Sequence, residues 1–384
     1  MSVGSEVLTE NIRSVATPNI WIRFRAYFSG VALYGAAIAL YSFLPYYRGF
    51  ISRSDLDVSY LPDSLRHSLE IVLSVLGANT FGLIIHGYVG YLVIGFFWFL
   101  FYPRARENTR TIIFWRVVGR IMKGWRDLFL GWGMAIPPET QLSKEEKATI
   151  FFFLVKFFFV PVMINFFFAN LGAFLKSGHS LLTVAPADSM EDNNRLLYFT
   201  LLNFMLIIDT GFFVFGYLFE FELWGNELRS TESTFFGWVV TLACYPPLNG
   251  LVTQEIGWGS SDYAVFPSPV ASSVTVTVSL VLFFVYTWAT VSLGLKASNL
   301  TNRGIVKTGP YAFVRHPAYI AKNLHWLVMG LPLIAVNWVA ALSIAGWAAI
   351  YFLRAVTEER HLLADPQYQT YCKKVPYRFI PGVI

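Results

Sequence analysis

The chain has 384 residues, of which 55% are hydrophobic and only 14% are charged, and its mean hydropathy is +0.51. Soluble domains carry about 25% charged residues, so this composition excludes a chain built of water-soluble domains. The net charge of +5 does not indicate nucleic-acid binding, because the basic residues flank apolar blocks, as cytoplasmic segments of membrane proteins do.

Six apolar blocks are long enough to cross a bilayer, since about 20 helical residues span about 30 Å. They lie near residues 28–47, 71–102, 149–175, 196–220, 233–253 and 270–294. The block 71–102 has room for one tilted helix or for a helix and a half. In the block 233–253, the run Tyr245-Pro246-Pro247 predicts a kink.

A further apolar stretch, 319–356, is too long for one crossing and is interrupted near Asn337 and Trp338. We interpret it as a hairpin of two helices, of about 16 and 20 residues. The predicted fold class is therefore all-α, a polytopic transmembrane helical bundle of about eight spans with a C-terminal helical hairpin and a short cytoplasmic tail. Residues 1–294 form the bundle, and residues 295–384 form a separate module of linker, hairpin and tail.

The basic residues predict the orientation. The segment 103–147 is rich in arginine and lysine, whereas the loops 176–195 and 254–269 are not. Counting eight spans with 103–147 inside places both termini in the cytoplasm. Part of 103–147 is also amphipathic, which fits either a helix in the headgroup layer or a plain cytoplasmic loop with basic anchors. The sequence leaves the bacterial inner membrane and the endoplasmic reticulum as alternative locations.

The residues that could carry chemistry gather at the two ends of the hairpin. Before it stands the run 309–319, Gly-Pro-Tyr-Ala-Phe-Val-Arg-His-Pro-Ala-Tyr, and after it stand Glu358 and Glu359. A hairpin that crosses and returns brings Arg315 and His316 to the same membrane face as the two glutamates, 43 residues later. One cationic and one anionic pair beside an apolar groove suit a zwitterionic cofactor. Only Cys244 and Cys372 are present, with no zinc-like spacing, so no metal site is expected.

This pattern resembles the isoprenylcysteine carboxyl methyltransferase and phospholipid methyltransferase superfamily of integral membrane enzymes. The resemblance covers residues 300–384 and implies a methyltransferase that uses S-adenosylmethionine on a lipophilic small molecule or a lipidated substrate. It implies that Arg315 and Glu359 lie nearest the methyl transfer. The cofactor-binding residues that it implies are Gly309, Tyr311, His316, Pro317, Tyr319 and Glu358.

Two alternatives to this function remain open at the level of sequence. The tail 371–381 is similar to that of the membrane sterol reductases, which implies an NADPH-dependent reductase. A non-catalytic transporter or receptor is the other alternative, and the charged clusters at both hairpin ends argue against it.

Three residues inside the predicted spans are candidate substrate contacts. Asp209 is a charge at mid-membrane depth, which requires a cavity or a polar partner; it is either a substrate-site acid or a structural hydrogen-bonding group. His325 either lines a substrate tunnel or packs in the core. Lys322 either reaches an anionic group or extends to the headgroups, and we favour the second reading. The acidic segment 220–232 is either a solvated loop or a roof over the site.

Overall fold

The computed structural model describes residues 20–51, 56–101, 109–130, 142–183, 190–220, 224–256 and 263–383. The N-terminal segment, and parts of the loops on which the predicted orientation depends, lie outside these residues.

In chain order, the helices are α1 (Ile20–Phe43), α2 (Pro45–Ile51), α3 (Asp63–Leu76), α4 (Thr80–Phe101), α5 (Thr109–Phe129), α6 (Lys144–Thr183), α7 (Met190–Leu218), α8 (Phe235–Leu242), α9 (Leu248–Ile256), α10 (Pro269–Leu293), α11 (Pro317–Val336), α12 (Val339–Leu362) and α13 (Pro366–Lys374). Two short strands, β1 (Ser230–Thr231) and β2 (Thr301–Asn302), form an antiparallel pair.

The predicted fold class is confirmed: the described chain is an all-α helical bundle of an integral membrane protein. Seven of its helices are long and apolar enough to cross a membrane, namely α1, α4, α6, α7, α10, α11 and α12. The hairpin is present, with helices of 20 and 24 residues that are longer than predicted. The apolar block 71–102 is a helix and a half, because the chain breaks at Gly77 between α3 and α4.

The predicted span 233–253 is not one helix but two, α8 and α9, separated by a turn at Tyr245-Pro246-Pro247. Prolines lack the N–H that helix continuation requires, which accounts for the break. The residues on either side of these two helices lie at opposite ends of the bundle. At one end β1 pairs with β2, and at the other end Tyr263 donates a hydrogen bond to Glu191 at the start of α7, at 2.7 Å.

The chain divides into two compact units. The first comprises residues 1–38 and 87–142, and the second comprises 39–86 and 143–384. In the first unit, Ala26, Tyr27 and Phe99 form a small core, and the Tyr27 hydroxyl donates to the Leu92 carbonyl at 2.7 Å. The amphipathic part of 103–147 is a helix, α5, whose Trp115 indole donates to the Ser29 carbonyl at 2.9 Å.

The second unit contains the hairpin together with α6, α7 and α10, so the predicted module boundary at residue 295 falls inside it. Its larger core joins α7, α10, α11 and α12 through buried aromatic residues that include Tyr198, Phe283, Trp326 and Trp347. A second core joins α6 to α7, where the rings of Phe159 and Tyr217 stack at 5.3 Å. The larger core holds α10–α12 together with α7 around the residues of the candidate site.

Candidate active site at the mouth of the hairpin

The linker before the hairpin turns sharply, and glycine makes the turns possible. Gly304 and Gly309 have φ angles of +104° and +62°, a region that side chains with a Cβ rarely adopt. At Gly309 a Cβ would also collide with the hydroxyl of Ser292 on α10. Pro317 is the first residue of α11, where its missing N–H costs nothing. Gly309 and Pro317 therefore shape the linker and do not line the cavity described below.

Glu359 lies at the centre of a buried charged cluster. Its Oε1 accepts hydrogen bonds from Arg315 Nε at 2.8 Å and lies 3.0 Å from His316 Nε2. Its Oε2 accepts from an Arg378 guanidinium nitrogen at 2.7 Å. The Glu359 side chain is only 7% exposed, so its charge is balanced by protein groups and not by water. The prediction that the hairpin brings Arg315, His316 and Glu359 together is confirmed.

The C-terminal tail is tied to the start of the hairpin by backbone hydrogen bonds. The backbone N–H groups of Arg315 and His316 donate to the carbonyls of Tyr377 and Arg378, both at 2.9 Å. The Arg315 guanidinium also donates to the carbonyls of Val375 and Pro376, at 3.1 and 2.7 Å. Arg315 thus joins the tail to α12, and Arg378 makes the same connection from the tail side.

A second polar contact lies beside the first, closer to open space. The Tyr319 hydroxyl donates to Glu358 Oε2 at 2.6 Å, and the Tyr319 ring stacks on the His316 ring with centroids 5.3 Å apart. Glu358 is exposed, unlike its neighbour Glu359. Burial, with Glu358 and Tyr371 nearby, raises the pKa of Tyr311 well above its ordinary value, so this hydroxyl stays protonated.

These residues open onto a cavity that extends from the linker down between α7, α10, α11 and α12. Including its open mouth, the space is about 1350 Å³. Of the residues assigned from the sequence, Tyr311, Arg315, His316, Tyr319, Lys322 and Glu358 line it. Glu359 lies behind Arg315 and His316 and does not line the cavity.

The deep end of the cavity carries two cations among aromatic rings. Lys322 Nζ lies 5.2 Å from the Trp326 ring centroid and 5.5 Å from that of Tyr286. Arg354 lies over the Tyr319 ring at 5.2 Å and donates a hydrogen bond to the Asn299 side chain. The prediction that Lys322 extends to the headgroups is therefore wrong: its ammonium turns inward, where aromatic faces stabilise it.

Asp209 and His325 stand outside the cavity wall. The Asp209 carboxylate on α7 accepts hydrogen bonds from Tyr286 at 2.9 Å and Thr290 at 2.6 Å, both on α10. Asp209 therefore acts as a structural hydrogen-bonding group, which was one of its two predicted roles. Both hydroxyls that donate to it line the cavity. His325 is 1% exposed; its Nδ1 lies 2.6 Å from the Ser279 hydroxyl, and its Nε2 lies 3.3 Å from the Tyr198 hydroxyl. It packs in the core between α7 and α10.

The segment 224–232 covers one edge of the cavity through contacts with the linker, with α12 and with the start of α13. Besides the β1–β2 pairing, Arg229 donates to Asp365 at 3.3 Å and to the Gln367 side chain at 2.9 Å. Glu232 lines the cavity, and the Ser230 hydroxyl lies 2.8 Å from His361 Nε2. Burial raises the pKa of Glu232, but hydrogen bonds from Thr234 and the charges of His361 and Arg360 outweigh it and leave the pKa below its usual value. The roof interpretation fits these contacts better than a solvated loop.

Sequence reasoning missed Arg354 and Arg378. Arg354 stands four residues before Glu358, so helical spacing places it one turn away on the same face. That spacing could have identified it. For Arg378 no comparable signal exists, because its role depends on the path of the tail.

Comparison with known proteins agrees with the motif. Residues 271–364, which run from α10 through α12, match the family model of the isoprenylcysteine carboxyl methyltransferase family. No curated protein and no solved structure matches the chain. The C-terminal region is therefore isoprenylcysteine carboxyl methyltransferase-like, and the match supports a membrane methyltransferase.

Proposed function

We propose that this protein is an S-adenosylmethionine-dependent methyltransferase of the membrane that acts on a lipophilic or membrane-adjacent acceptor. The observation that supports this most is the cavity itself. Its wall between Arg315 and Glu358 lies within the region that matches the methyltransferase family, and its deep end lies between membrane-spanning helices. A water-soluble cofactor and a lipophilic acceptor could then enter the same space from different sides.

The cavity residues fit the cofactor. Aromatic faces suit a sulfonium cation, carboxylate and hydroxyl groups suit its amino and ribose groups, and cations suit its carboxylate. Tyr311, His316, Tyr319 and Glu358 are the side chains that would hold it, together with the polar linker 298–304. When bound, S-adenosylmethionine supplies an electrophilic methyl group, whose transfer leaves the bonding electron pair on a neutral sulfur.

The protein's own residues would then align the two reactants, exclude water from them and provide a proton acceptor. In-line displacement depends on holding the two reactants in line, and the Glu359 cluster fixes Arg315 and His316 rigidly against the tail. A thiolate or carboxylate acceptor is already anionic and needs no base. An amine or alcohol must lose a proton, and the exposed Glu358 carboxylate, oriented by the Tyr319 hydroxyl, can receive it. Arg315 lies on the cavity wall, whereas Glu359 acts as a positioning residue.

The proposed cofactor is tested by ligand-dependent thermal stability of the detergent-purified protein. Stabilisation by a ligand at about 100 times its Kd amounts to about 2.7 kcal/mol. We expect S-adenosylhomocysteine to raise the melting temperature by several degrees and NADPH to leave it unchanged. The opposite result would indicate the reductase alternative, and no response to either would favour a non-catalytic protein.

Two variants localise that response. Glu358→Gln should weaken stabilisation by S-adenosylhomocysteine, because Glu358 lines the cavity. Glu227→Gln is the matched control, since Glu227 is exposed and lies away from the cavity lining. If S-adenosylhomocysteine stabilises the two variants equally, the cofactor does not bind beside Glu358.

A further inference from the structure

Helix α5 has an exposed face that the proposed function does not use. Among the described helices, α5 is not one of those apolar enough to cross a membrane, and five of its 21 residues are arginine or lysine. It nevertheless exposes several large apolar side chains. A contiguous apolar patch of this kind marks an interaction surface, and its surroundings indicate what covers it.

The first half of α5 is fixed to the start of α1. The Thr111 hydroxyl lies 2.6 Å from the Ser29 hydroxyl, and the Trp115 indole donates to the Ser29 carbonyl at 2.9 Å. Ile112 packs against the small core of the first unit. In these contacts α5 meets α1 within one helical turn, so the second half of α5 extends beyond the contact.

This junction lies at one boundary of the membrane. The part of α1 that is apolar enough to span the bilayer begins at Phe24, and Ser29 lies only about 8 Å further along the helix. Phe99, which belongs to the same small core, lies two residues before the end of α4. Helix α5 therefore starts where both spans reach the headgroup layer, on the side that the basic residues predict to be cytoplasmic.

The second half of α5 carries an apolar stripe. Met122, Trp125 and Phe129 follow one another at spacings of three and four residues, so they share one face of the helix. They are 58 to 83% exposed, and the rings of Trp125 and Phe129 lie 6.1 Å apart. Tryptophan and phenylalanine are residues that enter the boundary between headgroups and acyl chains.

A basic stripe runs beside the apolar one. Arg116, Lys123 and Arg126 are all exposed, and their spacings of seven and three residues place them on one face. The one acidic residue of α5 is Asp127, which accepts a hydrogen bond from Arg126 at 2.8 Å. Three positive charges thus stand against one negative charge, and the stripe remains basic.

This combination favours an anionic lipid surface over a protein partner. Apolar residues next to basic residues, on a helix at the level of the headgroups, match the two layers of a leaflet that contains anionic lipid. An isologous contact with a second copy of this chain would bring two basic stripes together, which charge repulsion disfavours.

We propose that the second half of α5 lies in the headgroup layer and binds anionic phospholipid. Met122, Trp125 and Phe129 enter the upper acyl chains, and Arg116 and Lys123 attract lipids whose phosphate carries no compensating cation, such as phosphatidylglycerol. This surface belongs to the first unit and does not depend on methyl transfer.

The test measures which lipid surrounds position 129. In the full-length protein with Cys244→Ala and Cys372→Ala, a Phe129→Cys substitution carries a nitrobenzoxadiazole fluorophore, and the protein is placed in phosphatidylcholine nanodiscs. About 10 mol% of the lipid bears a doxyl group on its acyl chain, and this lipid is either phosphatidylglycerol or phosphatidylcholine. Each basic residue near the surface strengthens the attraction of anionic lipid by about fivefold, so phosphatidylglycerol should quench at least twofold more strongly at low salt. In about 1 M salt, where the Debye length is about 3 Å, the ratio should approach one.

Charge variants locate the effect on α5. Arg116→Gln with Lys123→Gln should bring the quenching ratio close to one, and Arg116→Lys with Lys123→Arg should retain it. Lys373→Gln with Lys374→Gln is the matched control, because it removes two exposed positive charges from the end of α13 and should leave the ratio unchanged. Both lipids are compared in the same variant, so a partly unfolded preparation lowers both signals and not their ratio.

Three results would overturn the proposal. Equal quenching by the two lipids at low salt would mean that α5 inserts without selecting for charge. Quenching by neither lipid would mean that water or a protein partner, and not the bilayer, surrounds Phe129. A ratio that persists in Arg116→Gln with Lys123→Gln would assign the anionic lipid to residues other than those of the basic stripe.

Discussion

Glu358 and Glu359 are adjacent in sequence but do different work, because α12 turns one toward the cavity and the other toward the tail. Glu359 balances Arg315 and Arg378 and lies within hydrogen-bonding distance of His316, whereas Glu358 accepts a hydrogen bond from the Tyr319 hydroxyl. Removing one partner of a buried ion pair costs about 3–5 kcal/mol, because the remaining charges stay buried. An exposed group at a cavity mouth costs far less.

We therefore predict that Glu359→Gln lowers the free energy of unfolding by about 3–5 kcal/mol, and Glu358→Gln by less than about 1 kcal/mol. Unfolding by sodium dodecyl sulfate in mixed micelles, followed by tryptophan fluorescence, measures both. Methyl transfer should be lost in both variants. In Glu359→Gln the cause is disorder of Arg315 and His316, and in Glu358→Gln it is the loss of a carboxylate from the cavity wall. Equal losses of stability would show that Glu359 does not hold the tail.

At this scale the sequence predicted which residues meet but not which way they face. The spacing of 44 residues across a hairpin was sufficient to bring Arg315 to Glu359, because the length of a crossing is fixed by the bilayer. The direction of Lys322 could not be predicted, since it depends on rings from α10 and α12 that are distant in sequence. The roles of Gly309 and Pro317 were assigned from resemblance, and the structure shows backbone reasons for both residues.

Among the elements, α13 is held at its first residues by a small polar junction. Asp365 caps the helix by accepting from the Gln367 N–H, and it also accepts from Asn302 and Arg229. Burial raises the pKa of Asp365, but these hydrogen bonds outweigh it and leave the pKa below its usual value. A lowered pKa in the folded state means that the ionised form stabilises the junction at neutral pH. This stabilisation is lost as the pH falls below about 4, the ordinary pKa of aspartate, toward the lower folded value.

We predict that amide-exchange protection of α13 in the wild type decreases between pH 5 and pH 3, after correction for the intrinsic rates. Asp365→Asn retains a capping side chain but removes the charge, so it should show about fivefold lower protection at pH 6 and little further change on acidification. The difference between the two proteins isolates Asp365 from the other acids. A parallel decline in both would place the acid sensitivity elsewhere.

The elements also show where sequence patterns are sufficient. Proline punctuation predicted a kink at Tyr245-Pro246-Pro247, where the chain breaks into α8 and α9, because proline acts on the local backbone. The break at Gly77 was one of two alternatives that the sequence left open. Hydropathy did not predict that α12 continues to Leu362, beyond the apolar stretch, since its last turns are stabilised by the charged cluster and not by lipid. The β1–β2 pairing had no sequence signal, because two-residue strands carry no periodicity.

At the scale of the whole molecule, the number of membrane crossings depends on the relative directions of α7 and α10. The ends of α7 and α10 lie at the same end of the bundle, where Gly216 packs against the Ala297 carbonyl and β1 pairs with β2. The starts of α7 and α10 also lie together, because Asn194 bonds Ser273 at 2.9 Å. Two helices that run in the same direction require a return path between them, and α8 with α9 supplies it.

We accordingly predict that the broken segment counts as a full crossing, which gives eight crossings and both termini in the cytoplasm. Single cysteines are introduced at Glu227, Val265 and Lys307 in a Cys244→Ala, Cys372→Ala background, and sealed vesicles of known orientation are treated with a membrane-impermeant maleimide. All three positions are exposed. Positions 227 and 307 should label from the cytoplasmic side and position 265 only from the opposite side, because α8–α9 and α10 each separate them by one crossing. Labelling of positions 227 and 265 from the same side would contradict this prediction. The segment α8–α9 would then be re-entrant, and the chain would cross the membrane seven times. That topology would be at odds with the β1–β2 pairing, which holds the linker beside the cavity.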